Sequence, residues 1–282
     1  MTTDPGTLYV VATPIGNLDD ISARASHILR KAAVVAAEDT RRAGQLLTHL
    51  GIKNRLLSLH EHNEEARIDE VLATLSSGGD VALISDAGTP LISDPGYRIV
   101  ERARAEALPV SPVPGCCAAI AALSVSGLPT DRFRFEGFLP ARSVARRNRL
   151  EVLATQPETL ILYESVHRIV DVLADIEDIV GAERPIALAR ELTKRYETIY
   201  RGTVAQVRAQ LAADPGGGKG EFTLVIAGAP ESDATPPDEL KRVVEILLKS
   251  VSASQAAALA AEITGVKKRE AYRLATELKV RD

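Results

Sequence analysis

Residues 81–96 run VALISDAGTPLISDPG, and the architecture turns on them. Val81 to Ile84 form an unbroken apolar run of strand length, as expected of a strand buried on both faces. The loop that follows holds two Gly, two Pro and two Asp, with only Leu91 and Ile92 bringing large apolar groups. Gly opens backbone angles closed to other residues, and Pro fixes φ and removes a donor, so the loop is stiff and unusually shaped. In open α/β sheets, ligands sit just beyond the carboxyl ends of strands, which is where this loop lies. It carries Asp86 and Asp94 and no Lys or Arg before Arg98. Two carboxylates repel a polyphosphate and favour a cation or ribose hydroxyls. The alternative is a tight connection whose Asp residues cap a helix beginning near Pro95.

Outward from this loop the pattern repeats. Strand-like runs at residues 7–13, 33–37, 55–59, 81–85 and 110–113 alternate with helical patterns at 21–31, 41–50, 63–75, 97–107 and 116–126. This rhythm predicts a mostly parallel sheet with helices on both faces. Gly127-Leu128-Pro129-Thr130 breaks it and marks a domain boundary. Residues 132–138, 159–163, 185–190, 197–201 and 221–227 read as strands. Residues 146–154, 167–175 and 204–212 read as helices, giving a second α/β layer with antiparallel neighbours. Residues 230–237 are a polar linker. Beyond it, 238–249, 254–263 and 267–278 read as helices, with Gly265 in the turn of a helix–turn–helix. The expected domains are therefore 1–128 and 129–229, both α/β, then the linker 230–237 and a helical extension at 238–282.

Two further loops stand at strand ends of the leading domain. Ala12-Thr-Pro-Ile-Gly-Asn-Leu18 occupies the place of a dinucleotide glycine fingerprint but has one Gly, so NAD and FAD are not expected. Its alternative reading is a turn capped by Asn17 or Asp20. Val113-Pro-Gly-Cys-Cys-Ala-Ala119 brings small side chains, either for a flat ligand or for close helix packing. None of the three loops offers a phosphate-cradling lysine. A phosphate-free nucleoside with a positive centre satisfies all of them, and S-adenosylmethionine is the common metabolite of that description.

Acid and base groups follow other strands. Glu38-Asp-Thr-Arg-Arg42 suits acid/base work, or a helix cap by Asp39 or Thr40. Glu164 and His167 are one helical turn apart, and Arg190-Glu-Leu-Thr-Lys-Arg195 offers Lys194; both also read as ion pairs. His60-Glu61-His62 has no third ligand nearby, so no metal is expected. Arg132, Arg134, Arg142, Arg146, Arg147 and Arg149 cluster with Phe133, Phe135 and Phe138, a pattern suited to RNA or to a solvated helix over a phenylalanine core. A second basic group, Lys267, Lys268, Arg269, Arg273, Lys279 and Arg281, closes the chain. Two basic groups on a chain of net charge −4 point to a polyanionic partner. The composition, 45% hydrophobic and 26% charged over 282 residues, is that of a globular protein. With no long apolar run, no leader-like start and only two adjacent cysteines, a reduced cytoplasm is expected and a membrane is not.

Residues 12–18, Ala37-Glu-Asp-Thr-Arg41, 85–96, Pro114-Gly115 and Leu162-Tyr-Glu-Ser-Val-His-Arg168, in that order, resemble the small-subunit ribosomal RNA branch of the tetrapyrrole methylase, or class III methyltransferase, superfamily. The likeness spans about residues 6–229, and the helical tail is similar to that branch's C-terminal extension. It implies two α/β domains with the cofactor in the cleft between them, a homodimer, and S-adenosylmethionine-dependent 2′-O-methylation of one cytidine in the decoding region of 16S ribosomal RNA. By motif position Ile15, Gly88, Thr89 and Ile92 match cofactor-contacting positions, as do Ala118, Ala119, Tyr163 and Ala227. Tetrapyrrole enzymes often have Gly-Asp-Pro where this chain has Gly88-Thr89-Pro90, a departure that favours the RNA branch. Asp86 and Asp94 are both candidates to hold the methionine or ribose end.

A ribose hydroxyl needs a base to become a good nucleophile, and Glu38, Asp39, Glu164 and Lys194 are the candidates. Arg142, Arg146, Arg147, Arg149, Lys267, Lys268 and Arg269 are the expected RNA contacts, with an assembled small subunit as substrate. Rival readings are a methylase of the same superfamily acting on a tetrapyrrole or a protein side chain, and an RNA-binding assembly factor without catalysis.

Overall fold

A computed structural model describes residues 4–59, 64–230 and 237–279. The chain divides into two compact units, residues 1–229 and 230–282.

Within the first unit, five parallel strands form one sheet in the order β3-β2-β4-β1-β5. They are β1 (Leu8–Val11), β2 (Val34–Ala37), β3 (Leu56–Ser58), β4 (Val81–Ile84) and β5 (Val110–Val113). Helices α1 (Ala23–Lys31), α2 (Thr40–His49), α3 (Glu64–Ser76) and α4 (Tyr97–Ala105) alternate with them. Successive strand side chains point to opposite faces. Val81 and Leu83 therefore pack with Leu72 and Leu75 of α3 and Ile99 of α4, while Ala82 and Ile84 pack with Leu29 of α1 and Leu47 of α2. A strand covered on both sides can carry no polar residue, which is why VALI has none.

The second sheet runs β6-β7-β10-β8-β9. Its strands are β6 (Phe133–Phe138), β7 (Thr159–Ser165), β8 (Pro185–Arg190), β9 (Thr198–Thr203) and β10 (Glu221–Ile226). β6 pairs parallel to β7, and every other pairing is antiparallel. One face buries Leu150 and Leu153 of α6 (Ser143–Ala154), Val172, Leu173 and Ile176 of α7 (Ile169–Val180), and Val207 of α8 (Val204–Ala213). The other face is covered by α5 (Ala118–Ser126), whose Ala119, Ala122 and Leu123 pack on Ile161, Ala187, Ala189 and Val225. α5 thus begins from a loop of the first sheet and buries itself on the second, which explains its nearly all-apolar sequence.

Most elements fall within two residues of the sequence expectation. Two helix boundaries differ more. α6 begins at Ser143 rather than 146, and α7 covers Ile169–Val180 rather than 167–175. His167 and Arg168 belong to the turn before α7, so Glu164 and His167 do not share a helix.

The second unit is three helices: α9 (Pro237–Leu248), α10 (Ala253–Thr264) and α11 (Lys268–Lys279). Ser252 and Gln255 form a capping box at α10, and Gly265 ends it at φ +73°. Ala257 and Ala260 meet Ala271 and Ala275 in a core completed by Leu240 and Val244. Small residues let these helices approach closely. Among the described residues no helix is long and apolar enough to cross a membrane.

Candidate functional site

The sharp shape of loop 85–96 is built from backbone. Gly88, Leu91, Ser93 and Gly96 all have positive φ (+79°, +71°, +67° and +118°). Two of these are non-glycine residues held where side chains are unfavourable, a conformation that persists only where surrounding structure fixes it. Two backbone bonds between Thr13 and Gly88 (2.8 and 3.1 Å) tie the loop to the end of β1. Thr89 Oγ1 donates to the Cys116 carbonyl at 2.9 Å and ties it to the loop after β5. The three sequence loops are therefore one connected rim. α4 is entered through Gly96 without a side-chain cap, so the Asp residues of the loop are not spent on capping.

This rim faces the second sheet across a cavity of about 360 Å³, within the range of small-molecule sites. The first wall is Ile15, Ala87, Gly88, Thr89, Ile92, Ser93, Asp94, Cys117 and Ala118. The second is Phe138, Tyr163, Glu164, Ser165, Ala189, Leu192, Glu221, Phe222 and Thr223. Antiparallel pairing of β10 with β7 sets Phe222 opposite Glu164 and Thr223 opposite Tyr163, which brings that end of β10 into the site. The Tyr163 hydroxyl accepts from the Ala119 amide at 3.0 Å, supplying the cap that Cys117 does not give α5. Burial pushes the Tyr163 phenol well above its ordinary range.

The lining contains three carboxylates, Asp94, Glu164 and Glu221, and no Lys or Arg. Burial raises the Asp94 pKa, and the Asp86 charge adds to it, against a lowering bond from Ser85. Glu164 is 3% exposed. One of its oxygens accepts from the Ser165 amide at 2.7 Å. The other lies 3.3 Å from Arg168 in an ion pair, but is oriented so that it takes no hydrogen bond. A buried carboxylate oxygen without a donor is costly unless something else satisfies it. The cavity suits a compact ligand with a positive centre and an apolar body.

The structure sorts the sequence candidates. Ile15, Gly88, Thr89, Ile92, Asp94, Ala118 and Tyr163 line the cavity, and Ala119 touches it through Tyr163. Asp86 does not line it; its Oδ1 accepts from the Asp39 amide at 3.0 Å and its Oδ2 lies 3.3 Å from Arg42. Ala227 follows the other end of β10 and bonds Pro185 through its amide. At about 3.4 Å per residue it is roughly 14 Å along the strand from Thr223. Ala227 is therefore removed from the cavity site.

Among the base candidates, Asp39 caps α2 and grips Arg41 (2.7 Å), and that side-chain bond holds its carboxyl far below the usual range. Lys194 is partly buried, which opposes its charge. Bonds to Glu191 (2.8 Å) and Glu221 (3.0 Å) outweigh this and raise its pKa, keeping it protonated. Glu38 is half-buried and outside the lining. Glu164 alone of the four lines the cavity.

The basic cluster on α6 is corrected. Arg146, 6% exposed, binds Asp175 through Nε at 2.7 Å. Arg147 binds Asp175 (2.6 Å) and Asp178 (3.2 Å), and Arg149 binds Glu136 (2.7 Å). These three charges are paired within the fold; Arg146 is buried, while Arg147 and Arg149 keep 38% and 39% of their side chains exposed. Arg142, at the start of α6, is exposed. On the second unit, Lys267, Lys268 and Arg269 are exposed, and Lys267, Arg269, Tyr272 and Arg273 border a shallow surface groove. His60, Glu61, His62 and Arg281 lie outside the described residues.

Sequence reading missed Phe138 as a site residue, along with Cys117, Ser165, Glu221 and Thr223. The first was visible as an aromatic beside arginines. Glu221 and Thr223 depend on strand pairing, for which a single sequence carries no signal.

Known proteins agree with this geometry. Residues 7–208 match the family model of Tetrapyrrole (Corrin/Porphyrin) Methylases, and residues 234–279 match that of the RsmI C-terminal HTH domain. The chain is 53% identical over 268 residues to "Ribosomal RNA small subunit methyltransferase I" of Xylella fastidiosa strain Temecula1, covering 95% of this chain and 98% of that one. It is 52% identical to the protein of that name in Pseudomonas aeruginosa (96% and 97% covered) and 48% identical to that of Escherichia coli O157:H7 (96% and 95%). In fold it is similar to uroporphyrin-III-C-methyltransferase from Thermus thermophilus (TM-score 0.55, 23% identity, 79% and 94% covered). It is also similar to cobalt precorrin-4 methyltransferase (TM-score 0.59, 19% identity, 78% and 94% covered). On these matches the chain belongs to the ribosomal RNA small subunit methyltransferase I family of tetrapyrrole methylases, and is a methyltransferase.

Proposed function

We propose that this protein transfers the methyl group of S-adenosylmethionine to the 2′-hydroxyl of a cytidine in the decoding region of 16S ribosomal RNA. It acts on the assembled small subunit, as a cytoplasmic homodimer. Residues 1–128 and 129–229 serve as the two lobes of the cleft, and 230–237 links them to an RNA-contacting extension at 238–282. The observation that carries the reading is the lining of the cavity: an apolar body with Asp94 beside it, Glu164 and Glu221 paired from behind by Arg168 and Lys194, and no Lys or Arg among the lining residues themselves. A sulfonium is stabilised there, whereas a nucleotide polyphosphate is repelled.

The residues fit the cofactor. Asp94 would hold its amino or ribose end, Ile15, Ile92 and Leu192 its apolar surface, and the start of α5 its carboxylate. When bound, the cofactor supplies an electrophilic methyl carbon. The chain's own work is orientation and proton removal. Glu164, fixed by Ser165 and Arg168 with one oxygen lacking a hydrogen bond, takes the proton of the 2′-hydroxyl. The stiff rim would hold the bound cofactor in one orientation, so that little freedom remains to be lost at the moment of reaction. Arg142, Lys267, Lys268 and Arg269 supply cations for the RNA backbone.

Mass mapping of ribosomal RNA from cells lacking the protein tests the reading. One ribose methyl group should be missing and should return when purified protein and S-adenosylmethionine are added to the isolated subunits. An unchanged RNA mass map overturns it.

A further inference from the structure

Phe138 is the exposed apolar residue of the second wall. Of the large apolar residues lining the cavity it is the most open, at 55% exposure against 38% for Ile92. The chain takes specific steps to put it there. β6 runs parallel to β7 with Phe135 opposite Ile161, Gly137 opposite Leu162 and Phe138 opposite Tyr163. Glu136 is therefore an extra residue, a bulge. Without it, Phe135 and Phe138 would point to opposite faces; with it they share one, and bulges re-aim side chains in this way. Both rings then meet Tyr163 edge-on, Phe135 at 4.9 Å and 68°, Phe138 at 5.8 Å and 64°.

The bulge is anchored on both sides. Arg149 holds Glu136 from α6 at 2.7 Å. Gly137 has φ +69°, and a Cβ there would lie 3.1 Å from Ser93 Oγ of the rim, so the turn is closed against the first wall. Beyond Phe138, Arg168 donates to the carbonyls of Leu139 (2.9 Å) and Pro140 (3.1 Å) while it also pairs with Glu164. One guanidinium thus fixes both the backbone carrying the ring and the Glu164 carboxylate of the cavity wall. Arg142, four residues on, is exposed and in no ion pair among the described residues.

We propose that Phe138 is the stacking platform for the base of the acceptor nucleotide, set by the Glu136 bulge and locked by Arg168. This rests on the functional reading above. To reach a ribose hydroxyl in a cleft, the nucleotide must leave its neighbours, and an extruded base is stabilised by an aromatic face. A firmly held ring beside an exposed cation supplies stacking and a phosphate contact together. Arg149 and Arg168 are positioning residues in this scheme, and Phe138 selects for a planar base without reading its edge.

The test uses full-length protein and unmethylated small ribosomal subunits. F138A and F138L should lose about tenfold or more in kcat/KM for subunits, with unchanged S-adenosylmethionine affinity by calorimetry. F138L keeps an apolar contact with Tyr163, so a loss in both variants points to the π face. The chain has no tryptophan, so F138W carries a single one, excited apart from the tyrosines at long wavelength. Its emission should be quenched by subunits and not by S-adenosylmethionine alone. Quenching by the cofactor alone, weakened cofactor binding in F138A, or wild-type kcat/KM in F138A and F138L would each overturn the inference while leaving ribose methylation standing. A wild-type protein that transfers no methyl group to subunits overturns the functional reading, and this inference with it.

Discussion

The two walls of the cleft are made by different means. The first is mostly backbone: a loop with four positive-φ residues, strung between strand ends and tied by main-chain bonds to Thr13 and a threonine bond to Cys116. The second is mostly side chain: Phe138, Tyr163, Glu164, Glu221 and Thr223 stand on strands of a sheet whose far face is an ordinary apolar core. A wall of backbone recognises shape and is sensitive to any added atom. A wall of side chains carries chemistry and tolerates exchange at one position at a time. We expect substitutions in the first wall to alter cofactor affinity and those at Phe138 and Glu164 in the second to alter turnover.

The sharpest way to break this division is Glu164→Gln. Removal of the proposed base should cut kcat by about a hundredfold or more, with cofactor affinity by calorimetry preserved. Loss of affinity of similar size would move Glu164 from chemistry to binding. Next is Asp175→Ala, behind the second wall. It strands the buried Arg146. Removing one partner of such a pair costs about 3–5 kcal/mol, to be read from denaturant unfolding. Despite its own burial, Arg147 and Arg146 hold the Asp175 carboxyl below its ordinary pKa. A lowered folded pKa means that its stabilisation is present above the unfolded pKa and is lost as acid carries the pH down through the folded one. The variant should therefore be less acid-sensitive than the parent.

In the first wall, Gly88→Ala places a side chain at φ +79°, with its Cβ 3.2 Å from Ile15. A left-handed residue with a Cβ costs about 1–2 kcal/mol, to be read from denaturant unfolding, and the Cβ pressed on Ile15 should displace the wall and weaken cofactor binding with kcat at saturation little changed. The smallest effect belongs to Asp94→Asn, with binding weaker by about fivefold or less, the order of one partly solvated charge contact. Burial raises the Asp94 pKa, so its ionised form disfavours folding, and the cost is felt as pH rises through its folded pKa. The Asn variant should melt higher at neutral pH. Its cofactor affinity should no longer fall on acidification, whereas the parent's should.

The first wall was far more legible in the sequence than the second. Gly, Pro and Asp have narrow conformational uses, so SDAGTPLISDPG announces a loop, and the VALI run before it announces a doubly covered strand. Side-chain walls depend on partners distant in the chain. The arginines of α6 read as a basic surface because Asp175 and Asp178, which neutralise two of them, lie about one supersecondary unit away. Phe138 read equally as an RNA-stacking ring or as core, because a bulge of one residue decides which face it takes. Glu221 enters the site only through the antiparallel register of β10 on β7. Ala227 was placed by motif position, and counting along β10 shows it at the wrong end of the strand.

Gly16 has a consequence for how the cleft opens. A Cβ there would fall 2.5 Å from Lys194 and 2.9 Å from the Thr193 hydroxyl, and the neighbouring Asn17 amide donates to that hydroxyl at 3.1 Å. The two lobes are stitched at this point as pages are at a spine. A methyl group added at Gly16 would act as a wedge driven into that binding.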